Sequence, residues 1–359
     1  MSSPRELDPE RLKAYSLRLF GYMNGATVSL MACLGDRLGL YAAMAELGET
    51  TSAGLAEETG LAERWVREWL YGQGASGLVE TKDGETFWLA PEAIAVLVDE
   101  RHPANGIGMV SQLPDLARTL EQLPDAFRSG VGLPYDALGP DCAKGVERGL
   151  APWFRSLFVP VALPRVEGLC EKLEAGARVA DVGCGAGVAL IEMAKAYPRS
   201  EFHGYDISRF ALARAEANRA LAGVANVEFH DAHVDKLPGD RRFDFITTFD
   251  CLHDMTDPRH VIGEIAAALA ADGIWLVADI KAKPSYRENV ERNPMAAMMY
   301  GMSVMVCMSS SLSTPGGAGL GTLGLTEALL EGWAREAGFR RFAPIDLGHA
   351  VNAFFVVRP

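Results

Sequence analysis

From Arg178 onward the chain alternates strand-like and helix-like segments, and few folds accommodate that pattern. Apolar and aromatic runs at 178–183, 201–206, 227–231, 243–249 and 274–280 predict strands. Helices are expected between them at 188–197, 209–222 and 259–270. The last is opened by Asp257-Pro258, a capping residue followed by proline at the first helical position. Strands joined through helices run parallel, and the helices cover both faces of the sheet. Further on, Thr326 caps a helix reaching Gly338. Two short runs, 340–345 and 353–357, then follow with too short a connection for a crossover, so they should pair antiparallel.

The first strand runs into Val-Gly-Cys-Gly-Ala-Gly, with Asp181, Gly183, Gly185 and Gly187 at alternate positions. Glycines let the backbone turn sharply from strand to helix and approach a ligand closely. The helix N-terminus behind them offers free N–H groups and positive potential. A dinucleotide fingerprint would place a glycine where Val188 stands, which disfavours NAD. The second strand ends in Asp206, a carboxylate suited to ribose hydroxyls, and the third in Asp231-Ala232, suited to an adenine amine. Ligands of open α/β sheets bind at this end of the strands.

The N-terminal half differs in character. Asp8-Pro9 opens a helix expected to reach Phe20, with another over 26–38. Helices at 53–59 and around Trp65, Trp69 and Leu70 precede a hairpin turning at Asp83-Gly84, a winged-helix pattern. Residues 51–100 carry ten acidic and three basic side chains, and the whole chain 47 and 34, a net charge of −13. Such a surface lacks the phosphate-neutralising charge that DNA binding needs, so no nucleic acid is expected. The Pro- and Gly-punctuated region 101–176 is too apolar for a free linker, with Trp153, Phe154, Leu157 and Phe158 expected to pack. Six scattered cysteines, none in a Cys-x-x-Cys pair, suit a reducing compartment, and the charged N-terminus is no signal peptide; a cytoplasmic location is expected. The uncharged stretch after Arg292 has only about 15 apolar residues, short of a span, so no membrane contact is expected.

On these motifs, residues 178–357 resemble the class I S-adenosylmethionine-dependent methyltransferases. The N-terminal half resembles the winged-helix dimerisation domain of small-molecule O-methyltransferases. The resemblance implies a Rossmann-like, seven-stranded, mostly parallel sheet with an antiparallel last strand, behind a mainly α winged-helix domain. The expected divisions are 1–100 (dimerisation), 101–176 (helical bridge) and 177–359 (cofactor and catalysis), in a homodimer. It implies S-adenosyl-L-methionine as cofactor, bound by Asp181, Gly183, Gly185, Gly187, Asp206, Ile207, Asp231, Ala232, Phe249 and Asp250, and a small-molecule methyl acceptor.

Leu252-His253-Asp254 after the fourth strand is similar to the block holding the general base of plant-type O-methyltransferases. His253 and Asp254 are therefore the candidate catalytic residues. Met255 and Asp250 stand where that family has aromatic residues, which bears on the aromatic character of the acceptor. A histidine with an ordinary pKa near 6.5 is mostly neutral at working pH and ready to take a proton. Asp254, Asp279, Glu288 and Glu291 are all candidates to orient it, and the sequence does not choose. The methionines from Met295 to Met308 recur at spacings of three and four, suggesting one adaptable apolar face. Met295, Met299, Tyr300 and Met302 are candidate pocket residues, and the glycines of 316–324 a flexible edge. His230 and His233 lie three apart, but no metal is expected. C- or N-methylation, or a cofactor-binding transcriptional regulator, are the alternative readings.

Overall fold

The computed structural model describes residues 7–359 and divides into two compact units, one ending at Pro114 and one running from Asp115 to Pro359.

In the first unit the N-terminal helix is continuous over Pro9–Arg37, where two helices were expected. Asp8 caps it through the Glu10 and Arg11 N–H groups. Gly21 and Gly25 cost helix propensity but neither blocks a hydrogen bond, and no proline intervenes. Strand β1 (Thr50–Thr51), helices Ser52–Thr59 and Glu63–Ser76, and the hairpin β2 (Glu80–Thr81) and β3 (Thr86–Trp88) form the winged helix. Its core gathers Tyr41, Met44, Leu55, Trp69, Leu70 and Phe87.

The second unit is built on β4 (Arg178–Val182), β5 (Glu201–Asp206), β6 (Val227–Asp231), β7 (Phe243–Phe249), β8 (Leu269–Ile280), β9 (Arg341–Ile345) and β10 (Asn352–Arg358). Their order is β6-β5-β4-β7-β8-β10-β9. The first five are parallel, and β10 runs antiparallel to both β8 and β9. Alternation within each strand divides the core in two. Val179, Phe245, Ile274 and Leu276 face one cluster, and Ala180, Ile246, Trp275 and Val277 the other. The first cluster also takes Phe154, Phe158, Leu163, Leu169 and Leu173, so much of the stretch expected as a bridge is cover for one sheet face. The strand order reverses between β4 and β7, which opens a crevice at their carboxyl ends.

Among the described residues no single helix is long and apolar enough to cross a membrane.

Candidate active site

The glycine loop leaves β4 with Gly183, Gly185 and Gly187 all at positive φ (76°, 55° and 72°). The three positions differ in what surrounds them. A Cβ on Gly183 would lie 2.6 Å from Cys251 Cβ, and one on Gly187 would strike the Phe229 ring. At Gly185 nothing lies within 4 Å, so the backbone borders open space there. Asn218 steadies the loop by donating to the Ala186 carbonyl (3.1 Å) and to Glu147 (3.0 Å). The following helix, Val188–Ala196, has no side-chain cap.

The end of β5 is locked to this loop. Asp206 accepts from the Gly185 N–H (Oδ2, 2.8 Å) and the Ser208 N–H (Oδ1, 2.8 Å). Burial raises its pKa, against the pull of those backbone bonds. Beside it Ile207 is 49% exposed, an apolar face left at the mouth of the crevice. Asp231 is exposed and accepts the His233 N–H at 2.9 Å, while the Ala232 N–H is bound to the Asp206 carbonyl. Asp181 is buried and accepts from Thr247 Oγ1 at 2.7 Å. Burial pushes its pKa up to about 7.

The fourth strand delivers the chemistry. Phe249 packs edge-on against Phe154 and Phe158, within the aromatic core. Asp250 then takes a left-handed φ of 51°, a conformation uncommon outside glycine but tolerated by aspartate, and Asn352 Nδ2 holds its carboxylate at 2.6 Å. On the next turn His253 is buried, with Nδ1 2.6 Å from Asp279 Oδ1 on β8. Burial disfavours the charged ring, but the charge and hydrogen bond of Asp279, joined by a bond to Cys307, outweigh it and raise His253 well above its ordinary value. The free-histidine value assumed from sequence therefore does not hold. Asp279 Oδ2 is buried without a hydrogen-bond partner. Asp254 and Asp250 are each pushed to about 7, chiefly by burial.

Of the four carboxylates considered for orienting His253, the structure brings Asp279 to it. Tyr135 and Cys307 are additions that no spacing pointed to. Tyr135 lies on a tight turn whose neighbour Asp136 accepts from Ser208 Oγ at 2.6 Å. Burial, then the charges of Cys142, Asp254 and Asp206, hold its phenol well above the ordinary range, so it remains a neutral donor.

The methionine segment is not one regular helix. Ala296–Met302 passes into a wide π turn at Ser303–Cys307 and then into Met308–Ser311, which breaks the phase of the expected face. Met299 is buried and its sulfur accepts from Asn293, while the Tyr300 hydroxyl accepts from Asn289. Met298 is exposed. A hollow of about 600 Å³ lies against Gly301, Val304 and Met305, opposite Leu120, Leu123 and Phe127. None of Met295, Met299, Tyr300 and Met302 lines it. The glycine-rich stretch after the helix is tied down, not loose: the Gly319 and Thr322 N–H groups donate to Ser311 and Ser303, and Gly317 and Gly321 have no room for a Cβ.

Residues 173–332 match the family model described as a methyltransferase domain, and residues 26–99 the Rv2258c-like winged HTH domain. Residues 173–332 are a methyltransferase domain. Such a domain takes S-adenosylmethionine as its donor, and this one carries the glycine loop and the acidic crevice that fit a cationic nucleoside. The ubiquinone biosynthesis O-methyltransferase of Neisseria meningitidis serogroup A is 28% identical over 127 residues, covering 35% of this chain and 52% of that protein. The chain spans about half or less of the length of the curated relatives it matches. Human N-acetylserotonin methyltransferase, solved in complex with SAM, superposes with a TM-score of 0.70 at 20% identity, covering 99% of each chain. The mitomycin 7-O-methyltransferase MmcR superposes at 0.66 with 18% identity, covering 98% of this chain and 99% of its own. At these identities the solved structures establish a shared fold. In chain order the methyltransferase domain follows the winged-helix domain.

Proposed function

We propose that the chain methylates a hydroxyl of a small, largely apolar metabolite, with His253 as general base and Asp279 as its positioning residue. The observation that carries this reading is the buried His253–Asp279 pair, 2.6 Å apart, at the carboxyl ends of two strands bordering the glycine-loop crevice. Gly183, Gly185 and Gly187 would cradle the donor, Asp206 its ribose, Asp231 and Ala232 its adenine, and Ile207 would cover the base. Asp181 and Asp250 add negative charge suited to its cationic groups, with Phe249 backing the wall. When bound, S-adenosylmethionine supplies an electrophilic methyl group on a positively charged sulfur, which departs as a neutral thioether.

The chain's own residues then have two tasks. The first is alignment, which supplies most of the barrier reduction in such a transfer. The turn at Ser303–Cys307 serves it by carrying Cys307 to His253. The second is removal of the acceptor proton. Asp279 holds Nδ1, and Nε2, the nitrogen left facing Cys307, takes the proton once the acceptor hydroxyl replaces that thiol and its oxygen attacks carbon. Asp254, beside this pair, and Tyr135, near Asp254 and Cys307, supply further polar contacts for the acceptor. The O-methyltransferase names of the Neisseria and mitomycin enzymes support oxygen as the nucleophile.

The N-terminal helix exposes Leu12, Tyr15, Leu19, Phe20, Tyr22 and Met23 together, more apolar surface than a solitary helix keeps in water. A second copy of the chain is its proposed partner.

The test is turnover of an accepted hydroxylated metabolite with labelled donor. His253→Ala should lower kcat by about 10²–10⁴-fold while S-adenosylhomocysteine binds as before. Wild-type turnover in that variant would remove the base assignment.

A further inference from the structure

Three side chains away from this chemistry converge on one face of the sheet edge. In the parallel register of β5 and β6, His203 lies opposite Glu228 and Tyr205 opposite His230. Alternation puts all four on the same face. Phe229, between them, points to the other face, where it packs beneath Gly187 and Gly204 of the cofactor crevice.

Candidate ligand atoms of His203, Glu228 and His230 all lie within 4.8 Å of one another. His203 Nδ1 is 3.2 Å from His230 Nε2 and 3.8 Å from Glu228 Oε2. Two nitrogens bound at about 2.0–2.1 Å in a tetrahedron sit roughly 3.3 Å apart, so the rings already hold ligand spacing. Glu228 is exposed and free to close the remaining gap.

The rings are also oriented. Tyr205 stacks on His230 with centroids 4.7 Å apart, and Phe243 meets His203 edge-on at 5.7 Å. On its far side His230 Nδ1 faces Asp235 Oδ2 at 3.8 Å, a charge contact beyond hydrogen-bond reach.

We propose that His203, Glu228 and His230 bind a divalent ion of the zinc class, with water completing a four-coordinate shell. Two imidazoles and one carboxylate suit such an ion better than calcium or magnesium, which prefer all-oxygen shells. The ion would fasten edge strand β6 to β5. Its place on the face opposite the glycine loop makes its role structural, not a part of methyl transfer.

The experiment titrates chelator-treated, full-length protein with Zn²⁺ by calorimetry and with Co²⁺ by visible absorption. One equivalent should bind, with the absorption bands of a tetrahedral site lacking thiolate. His230→Ala and Glu228→Gln should each weaken binding at least about tenfold. Glu228, being exposed, provides a variant whose fold is not at risk. His233→Ala should bind as wild type, since that residue contributes its backbone N–H, not its ring, to the turn after β6. Failure of folded wild-type protein to take up an equivalent at about 100-fold excess metal would overturn the proposal. That result would reduce the 3.2 Å contact to a hydrogen bond between the two rings. Unchanged affinity in Glu228→Gln and His230→Ala, or a thiolate band, would equally overturn it.

Discussion

A histidine in water loses its proton near pH 6.5. His253 does not, because Asp279 stands 2.6 Å from its Nδ1 in a buried pair. The sign of the consequence is fixed. A ring held above its ordinary value must first lose its proton before it can accept another, so the rate rises with pH through that raised value. Asp279→Asn keeps the shape but removes the charge that favours the protonated ring. The rising limb of the pH–rate profile should therefore move to lower pH, and the plateau should fall at least about tenfold because the base is weaker. Steady-state profiles of the two proteins check this; an unmoved limb would leave Asp279 a purely structural role. At this scale the sequence showed His253 through a contiguous block but not its partner. Asp279 is 26 residues distant and meets it through parallel pairing of β7 and β8. Tyr135 and Cys307 arrive from irregular turns, where no period marks a residue for notice.

Among the elements, strands β4 to β7 were legible because buried parallel strands are continuous apolar runs punctuated by glycine and aspartate. The N-terminal helix, expected as two pieces ending at Phe20 and resuming at 26, runs unbroken through Gly21 and Gly25, since glycine weakens a helix without ending it. The methionine helix was misread because a π turn at Ser303–Cys307 leaves no trace in residue spacing. The glycine loop was read correctly as a bend, yet its three glycines have different reasons to be there. At Gly187 an added methyl meets the Phe229 ring as well as positive φ, whereas at Gly185 it meets open space. Gly187→Ala should therefore cost about 1–3 kcal/mol of stability through overpacking and left-handed strain. Gly185→Ala should cost about 1 kcal/mol, with its larger effect on donor affinity. Denaturant melts beside donor titrations separate the two, and equal stability losses would contradict the distinction.

At the scale of the whole molecule, the sheet collects charge as well as residues. Asp181, Asp206, Asp250, Asp254 and Asp279 end up at or beside the carboxyl ends of β4, β5, β7 and β8. Burial holds Asp181, Asp250 and Asp254 near pH 7, where an arriving cation favours their ionised forms. No local stretch displays this concentration, which arises only when the switch in strand order brings separate strand ends to one crevice. The central claim is that this crevice, built on the 183–187 bend and Asp206, grips the donor. Calorimetric titration of the full-length protein and of Asp206→Ala with S-adenosylhomocysteine tests it most directly. One site per chain is expected in the wild type, with at least about a tenfold loss of affinity in a variant that keeps its circular dichroism spectrum. Equal affinity in the two proteins, or no binding to the wild type, would contradict it.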